Sequence, residues 1–285
     1  MNMNSPASFS APPSPPLPRA LTIAGSDSGG GAGIQADLKT FALMGVFGLS
    51  VITALTAQNT LGVQHIFGVP ENVVQQQMDS VLDDIGADAI KTGMLWSQGI
   101  IEVVAGRLRG GKYLLVIDPV LAAKRGEPLL QPEAVPALQH CLFPLAALVT
   151  PNIPEAELLS GISPLTTRDR IQDAAKKIMD SSGTRSVLIK GGHLSGGQIF
   201  DLFYDGREYR VFEKERINNQ HIHGVGCTLA AAITACLARG LTLVQAIQKA
   251  QGVIGEAIQS AQPLGRGIGP VNSRFCILPE EKYHG

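Results

Sequence analysis

The sequence predicts an α/β protein built on a central, mainly parallel sheet, and three observations lead to this fold class. From residue 20 onwards, short apolar and β-branched runs alternate with longer stretches whose apolar residues recur at helical spacing. Several of the short runs end in glycine-rich or polar segments, as parallel strands do at their carboxyl ends. No repeat and no clear linker interrupts the alternation. We therefore expect a single doubly wound domain over residues 20–285.

The first 19 residues differ in composition from the rest of the chain. They contain six prolines among serines and alanines, a composition that buries little surface and favours extended, mobile chain. We predict a disordered tail over residues 1–19.

Composition and charge narrow the class of partner. The chain has 285 residues, of which 45% are apolar, which is enough for a large core. Its net charge is −1 and it has no basic run with interleaved aromatic residues, so a small-molecule partner is favoured over nucleic acid. No apolar run reaches 18 residues and the amino terminus lacks the pattern of a signal peptide, so no membrane span is predicted. The four cysteines form no C-x-x-C pair, and we expect reduced thiols in the cytoplasm.

The predicted elements follow the chain. Residues 20–24 form a short buried strand, and a helix at about 34–44 follows a glycine-rich segment. The apolar, β-branched stretch 46–57 predicts the second strand. The stretch 71–85 predicts a helix because Val74, Met78 and Leu82 recur at helical spacing. The same reasoning gives strands at 63–69, 89–91, 113–117, 147–150 and 186–190, and helices at 97–109, 132–141 and 167–182. Thr167 is the expected cap of the last of these helices.

Local signals describe the carboxyl-terminal third. Short strands at 198–204 and 208–213 flank the dipeptide Asp205-Gly206, which predicts an antiparallel hairpin. Thr242 and Gln245 have the spacing of a capping box at the start of the next helix. The chain then closes with the glycine-rich stretch 265–272.

The segment from Gly25 to Gly33 has the layout of a ligand loop, because it joins a strand to a helix. It lacks the G-x-x-x-x-G-K-[ST] pattern of a P-loop. Gly31, Gly33 and Ala36 satisfy the loose dinucleotide pattern, but no acidic residue lies between Asp37 and Glu71, where that fingerprint requires one. A dinucleotide site is therefore disfavoured.

The stretch that begins at His223 predicts an anion-binding turn. Gly224 and Gly226 allow successive N–H groups to converge, and the following helix adds its unpaired donors and the positive end of its dipole. Cys227 lies at the mouth of this turn, where the dipole is expected to lower the pKa of the thiol and favour a thiolate base or nucleophile. Alternatively, Cys227 is a small buried hydrophobe in an alanine-rich core helix.

Polar or soft side chains follow the predicted strands, and each has two interpretations. Gln58 suits the edge of a heterocycle, because its amide both donates and accepts, or it caps a loop. Met94 forms the wall of a pocket or belongs to the core. Asp118 anchors a metal or water, or simply starts a turn before Pro119.

Asn152 and Glu155 are three residues apart at a predicted helix start and face the same way. They could orient Mg²⁺ through its water molecules, although a polar helix start explains them equally well. Lys190, on a strand end flanked by glycine, could reach a phosphate.

Taken together, these segments resemble the hydroxymethylpyrimidine/phosphomethylpyrimidine kinases of thiamine biosynthesis. The resemblance keeps its order over roughly residues 20–275 and is carried by stretches 20–41, 56–60, 91–95, 118–120, 151–155, 190–193 and 223–228. This family belongs to the ribokinase-like kinases, so the resemblance implies a three-layer fold with a mainly parallel sheet between helices, a small antiparallel hairpin and a homodimer.

The resemblance also implies roles for individual residues. Asp37 and Gln58 would hydrogen-bond the aminopyrimidine. The residues Gly25, Thr56 and Met94 would line its pocket. The segment Gly29–Gly33 would act as a flap over the substrate.

The remaining implied roles concern phosphoryl transfer from ATP. Cys227 stands where most ribokinase relatives carry an aspartate base. The N–H groups of Gly224, Val225, Gly226 and Cys227 would hold the transferred phosphoryl group. The residues that match the ATP and Mg²⁺ site are Lys190, Asn152, Glu155 and Asp118, with Asn152 and Glu155 holding the metal through water.

One residue departs from the family pattern. The family usually has threonine where this chain has Val225. The backbone donors survive the change, and related kinases carry alanine there. A hydroxyl contact to the nucleotide is lost, so we expect a weaker ATP affinity.

The function implied by the resemblance is ATP-dependent phosphorylation of 4-amino-5-hydroxymethyl-2-methylpyrimidine, and then of its monophosphate to the diphosphate. A pyridoxal or pyridoxine kinase of the same fold is an alternative within the class of phosphotransferases. From another class, a catalytically silent pyrimidine sensor is the second alternative, although a sensor needs neither Lys190 nor Cys227.

Overall fold

The computed structural model of the chain describes residues 16–123, 126–193 and 198–271. Most of the predicted tail, Asn272 and Cys276 lie outside the described residues. The predicted boundaries of the tail and of the single domain therefore stay predictions.

Strands and helices alternate along the chain as the sequence predicts. The strands are β1 (Arg19–Asp27), β2 (Phe47–Asn59), β3 (Gly62–Gly68), β4 (Ala89–Thr92), β5 (Leu114–Ile117), β6 (Leu148–Val149), β7 (Val187–Ile189), β8 (Gln198–Tyr204) and β9 (Tyr209–Glu215). The helices are α1 (Gly33–Leu43), α2 (Glu71–Asp84), α3 (Gln98–Leu108), the single turn α4 (Val135–Ala137), α5 (Ile153–Ser160), α6 (Arg168–Ser182), α7 (Val225–Ala238) and α8 (Leu243–Gln259).

The strands of the described residues form one nine-stranded sheet in the order β3-β2-β1-β4-β5-β6-β7-β8-β9. The six strands from β2 to β7 in this order are parallel, and β3, β8 and β9 are antiparallel to their neighbours. The mainly parallel sheet and the β8–β9 hairpin are therefore confirmed. Because β2 and β4 flank β1 on opposite sides, the winding of the sheet reverses beside the carboxyl end of β1, where open sheets of this class place their ligands.

Successive residues of the buried strands belong to opposite faces of the sheet, which gives the fold its three layers. Leu21, Ile90 and Ile117 contribute to the core that α2, α3, α5 and α6 cover. Their neighbours Ala20, Ala89 and Val116 contribute to the second core, which α1, α7 and α8 cover. The three-layer expectation is confirmed.

The caps predicted from the sequence are present. The hydroxyl of Thr167 accepts a hydrogen bond from the N–H of Arg170 at the start of α6. Thr242 and Gln245 form the capping box of α8. These two contacts satisfy N–H groups that the first turn of a helix leaves without partners.

The predicted helix at 132–141 differs from the structure. This segment is a series of short 3-10, α and π turns between Pro132 and Leu145. Pro136 and Pro144 lack the N–H that a regular helix needs, so the hydrogen-bond pattern changes along the segment.

Within the described residues, Cys141, Cys227 and Cys236 are free thiols, and the last two share α7. No helix of the described part of the chain is long and apolar enough to cross a membrane. The cytoplasmic location stays a prediction.

Candidate active site

Polar residues from several elements meet at the carboxyl edge of the parallel strands. Asp118 follows β5, Asn152 follows β6 and Lys190 follows β7. The amino-terminal end of α7 lies at the same edge: a Cβ added to Gly226 would lie 3.3 Å from Lys190 Nζ and 3.6 Å from Asp118 Oδ2.

The start of α7 leaves backbone donors free. Gly224 caps the helix with a φ of 80°, and no side chain caps this end. Among the described residues, no acceptor binds the N–H groups of Gly226 and Cys227. A Cβ at position 224 would lie 1.8 Å from the carbonyl oxygen of Gly31, so only glycine fits here. The Gly224–Cys227 turn thus presents unpaired N–H groups at the positive end of a helix dipole.

Cys227 is half-buried at this turn. Burial raises the pKa of its thiol to about 11, and the positive charge of Lys91 opposes the rise only in part. The N–H of Gly33, the first residue of α1, also donates to the sulfur. The expectation of a lowered thiol pKa is therefore wrong, because loss of hydration outweighs the favourable charges and dipoles around the sulfur.

A buried ion pair lies near Cys227. Asp37 on α1 accepts hydrogen bonds from Lys91 Nζ at 2.7 and 2.8 Å and from the Thr22 hydroxyl at 2.6 Å, and all three side chains are inaccessible to solvent. Burial alone would lower the pKa of Lys91, but the negative groups around it, Asp37 foremost and Asp118 with it, together outweigh burial and raise that pKa. Lys91 is charged at neutral pH.

This pair changes the interpretation of Asp37. Its carboxylate is fully engaged with Lys91 and Thr22 rather than open to a ligand, so the predicted hydrogen bond to a pyrimidine stays a prediction. Sequence reasoning gave Lys91 no role. The available signal was a lysine inside an otherwise apolar buried strand.

Four predicted substrate residues lie around the ends of β1 and β2. The Thr56 hydroxyl hydrogen-bonds the carbonyl of Ser26 at 2.9 Å and lies 3.1 Å from the side-chain amide of Gln58. Met94 approaches Gly25 so closely that an added Cβ would lie 2.9 Å from its sulfur. Met94 also packs with Ala54 in a small apolar cluster, so it serves the core while it faces Gly25.

Two residues without a predicted role connect this region to the Gly224–Cys227 turn. The carboxylate of Asp27 accepts hydrogen bonds from the N–H groups of Gly29, Gly31 and Ala32 at 2.8 to 3.0 Å, which folds the glycine loop around it. His223 Nε2 lies 3.0 Å from the same carboxylate. Burial opposes ionisation of Asp27, but His223 and the loop N–H groups lower its pKa overall.

The residues predicted to bind ATP and Mg²⁺ also lie together. Lys190 Nζ is 2.6 Å from Asp118 Oδ1, which also accepts from the Thr150 hydroxyl at 3.1 Å. Asn152 and Glu155 form a reciprocal capping box at the start of α5. Burial raises the pKa of Glu155 to about 7, and Lys190 opposes the rise.

These side chains could bind Mg²⁺ only together with the phosphate groups of a nucleotide. Within the described residues, no three His, Cys, Asp or Glu side chains are grouped so as to hold a metal ion. Mg²⁺ keeps much of its water and usually needs one or two carboxylates besides phosphate oxygens. Asp118 and Glu155 supply such hard oxygen ligands beside Lys190.

Comparison with known proteins identifies the family. The profile of the phosphomethylpyrimidine kinase family matches residues 27–272. The hydroxymethylpyrimidine/phosphomethylpyrimidine kinase of Mycobacterium bovis is 48% identical over 270 residues, which are 94% of this chain and 98% of that protein. The thiamine biosynthesis bifunctional protein ThiED of Geobacter sulfurreducens is 51% identical over 260 residues. That match covers 90% of this chain, and the chain spans about half (53%) of that relative's length.

A solved structure agrees with the fold. The ADP complex of Bacillus subtilis pyridoxal kinase superposes with a TM-score of 0.84 at 41% identity, covering 91% of this chain and 98% of that one. The match of the family profile to most of the chain and the high identity to curated relatives lead to one conclusion. The chain belongs to the phosphomethylpyrimidine kinase family.

Proposed function

We propose that this protein transfers the γ-phosphoryl group of ATP to the 5-hydroxymethyl group of 4-amino-5-hydroxymethyl-2-methylpyrimidine, and then to the resulting monophosphate, in thiamine diphosphate biosynthesis. One observation carries the proposal. The Gly224–Cys227 turn lies between the Gln58 region on one side and the Lys190–Asp118 pair on the other.

The pyrimidine is assigned to the ends of β1 and β2. Gln58 offers a donor and an acceptor to a ring edge, and Gly25, against which Met94 packs closely, would line the same pocket. Thr56 orients the amide of Gln58. These contacts hold the hydroxymethyl group towards Cys227.

The phosphoryl group is assigned to the free N–H groups of Gly226 and Cys227. Phosphoryl transfer asks mainly for positioning and charge neutralisation, and preorganised backbone donors supply both without reorganisation. Lys190 adds a positive charge within reach of the same place. Asp118 and the Asn152–Glu155 cap hold Lys190 and offer oxygen ligands for Mg²⁺. When bound, Mg²⁺ neutralises charge on the phosphate oxygens.

Cys227 is assigned as the acceptor of the hydroxyl proton. With a pKa of about 11 the thiol is protonated in the free protein at neutral pH, so the thiolate is a minor species there. Only the thiolate can accept the proton, so the reaction runs through this minor species. The loose transition state keeps the demand on the base small, because little charge builds up on the attacking oxygen.

A homodimer is proposed through the β2–β3 hairpin. This hairpin lies at one edge of the sheet, and Leu55 and Phe67 face each other across it, with 48% and 57% of their surfaces exposed. An exposed pair of large apolar residues on an edge hairpin favours contact with a second protein surface.

Pyridoxal is a second candidate substrate, because a pyridoxal kinase shares the fold over nearly the whole chain at a TM-score of 0.84. The two activities differ in the ring that Gln58 and Met94 must accept. A silent sensor is disfavoured by the Lys190–Asp118 pair, which a pyrimidine-binding protein does not need.

The test is the release of ADP by the purified protein with Mg-ATP and, in separate reactions, hydroxymethylpyrimidine, its monophosphate, pyridoxal or ribose. Turnover with both pyrimidines and none with ribose is expected. Turnover with pyridoxal alone would move the protein to vitamin B6 metabolism. Pyrimidine binding by calorimetry without any ADP release would instead support the sensor.

A further inference from the structure

The imidazole of His223 lies between two groups that belong to different parts of the site. His223 Nε2 is 3.0 Å from Asp27 Oδ2 and 3.3 Å from the side-chain amide of Gln58. Only 19% of the His223 side chain is exposed. A Cβ added to Gly31 would lie 2.4 Å from the ring, so the glycine loop packs directly against it.

Counting protons fixes the direction of these contacts. The Asp27 carboxylate can only accept, so Nε2 of His223 carries a proton and donates it. The Gln58 atom that faces Nε2 must then be its carbonyl oxygen, because an NH₂ group there would set two donors against each other.

The other end of the amide leads to the same orientation. Thr56 has one hydroxyl proton, and the carbonyl of Ser26 accepts it at 2.9 Å. The Gln58 atom 3.1 Å from Thr56 Oγ1 must therefore donate, so it is the NH₂ group. A rotation of the amide by 180° puts its nitrogen towards Thr56, where it donates to the hydroxyl oxygen, and its oxygen towards His223, where it shares the single Nε2 proton with the Asp27 carboxylate.

We infer that His223 is a positioning residue that fixes the orientation of the Gln58 amide for recognition of the pyrimidine. In this orientation one N–H and one oxygen lone pair of Gln58 remain available, in a defined order, for a ring nitrogen and an amino group. Because His223 also binds Asp27 and directly precedes Gly224, a single side chain links the substrate amide, the glycine loop and the Gly224–Cys227 turn.

The inference rests on the proposed role of Gln58, so the experiment is a double-mutant cycle. The KM values for hydroxymethylpyrimidine and for ATP are measured for His223→Leu, Gln58→Ala and the double variant. We expect His223→Leu to raise the KM for the pyrimidine about tenfold, as loss of a buried hydrogen-bond partner does. In the Gln58→Ala background the same change should alter this KM less than about twofold, because the amide it acts on is gone.

Two further variants complete the design. His223→Gln retains an N–H donor for Asp27 and should keep the pyrimidine KM within about threefold of the parent. His140→Gln, at an exposed histidine far from the site in sequence, is the matched control and should change nothing. If His223→Leu unfolds, Thr56→Val tests the same amide from its other end, with the same expected dependence on Gln58.

The possible results distinguish a failure of the proposed role of Gln58 from a failure of the inference about His223. An unchanged pyrimidine KM in Gln58→Ala would overturn the role of Gln58 and the inference with it. A large effect of Gln58→Ala combined with equal effects of His223→Leu in both backgrounds would leave the role of Gln58 intact and overturn the inference about His223 alone.

Discussion

At Cys227 the protein holds a protonated thiol where the proposed mechanism needs a proton acceptor. Burial raises its pKa to about 11, while Lys91 and the N–H of Gly33 favour the thiolate. The Asp37 carboxylate cancels part of the benefit of Lys91, because it lies next to the same sulfur with the opposite charge. The thiol is thus largely protonated at neutral pH.

Replacing Cys227 tests whether this thiol is the base. We expect Cys227→Ala to lower kcat about a hundredfold or more and to change both KM values less than about threefold, because a general base acts in the transition state. Cys227→Asp supplies a carboxylate and should recover part of the loss. Near-normal turnover of Cys227→Ala in steady-state assays would contradict the assignment.

The pH dependence of kcat follows from the raised pKa. Below that pKa the thiol is neutral, and the thiolate fraction rises about tenfold for each pH unit. We expect log kcat to rise with a slope near one between pH 7 and pH 9 with saturating substrates. Cys227→Asp should show a flat profile over this range, because a carboxylate is already ionised. A flat profile in the parent protein would show that the thiolate is not required.

Substitution of Val225 by threonine, the usual residue of the family, tests the effect of this departure on ATP binding. Its side chain packs against the apolar core beneath α7. Val225→Thr should lower the KM for ATP about three- to tenfold, because one hydrogen bond to the nucleotide is worth roughly 0.5–1.5 kcal/mol. Val225→Ala adds no hydroxyl and is the control. An unchanged ATP KM in Val225→Thr would mean that the hydroxyl does not reach the nucleotide.

At the scale of elements, strand β4 contains an unusual threonine. The hydroxyl of Thr92 is buried and has no hydrogen-bond partner among the described residues, whereas the equally buried hydroxyl of Thr53 on β2 donates to the carbonyl of Met94 at 2.6 Å. A buried threonine hydroxyl therefore destabilises the fold at Thr92, where it has no partner, and stabilises it at Thr53, where it donates a hydrogen bond.

The two threonines form a matched pair of experiments. Thr92→Val is expected to raise the free energy of unfolding by about 1 kcal/mol, because it removes an unsatisfied buried hydroxyl. Thr53→Val should lower it by about 1–2 kcal/mol, because the Met94 carbonyl loses its donor. Urea unfolding measures both. A loss of stability in Thr92→Val as large as that in Thr53→Val would show that the Thr92 hydroxyl has a partner in solution.

The elements themselves could be predicted well from the sequence. Regular periodicity placed α2 and α6 within one or two residues of their observed ends, and Thr167 was identified as a cap. The regular helix predicted at 132–141 was wrong, because Pro136 interrupts the hydrogen bonds and the segment forms short 3-10, α and π turns instead. The antiparallel pairing of β3 with β2 was not predicted, because the turn that joins them, Thr60-Leu61, lacks the Asn-Gly or Asp-Gly signal of a tight hairpin.

The candidate site could be predicted only in part. Gly224, Lys190 and Gln58 stand out by residue type at the ends of elements. The direction in which the Cys227 pKa is shifted could not be read from its position at the start of a helix, because burial by other parts of the chain decides it. The partners of Asp37 and the place of His223 likewise depend on side chains that are 54 and 165 residues away in sequence.

At the scale of the whole molecule, the proposed dimer can be tested by the mass of the protein in solution. Phe67→Glu places a charge in the exposed apolar pair on the edge hairpin and should shift the protein from dimer to monomer at micromolar concentration. Leu158→Glu on α5 changes an equally exposed leucine and is the control. Sedimentation velocity reports the mass of each variant. A dimer that persists in Phe67→Glu would place the interface elsewhere.

The division of the core into two layers has a consequence for the order in which a newly made chain can fold. The strands and the helices of one layer are all complete by Glu215, but the other face of the sheet is closed largely by α7 and α8, which end at Gln259. At 5–20 residues per second, roughly 2–9 s pass before the ribosome has added this last stretch. During that time the strip formed by Ala89, Val116 and Leu188 has no cover from α7 and α8, and such a surface favours aggregation or chaperone binding. Because the Gly224–Cys227 turn belongs to the same late segment, the chain completes its second core and the turn that is proposed to bind the phosphoryl group in the same final seconds of synthesis.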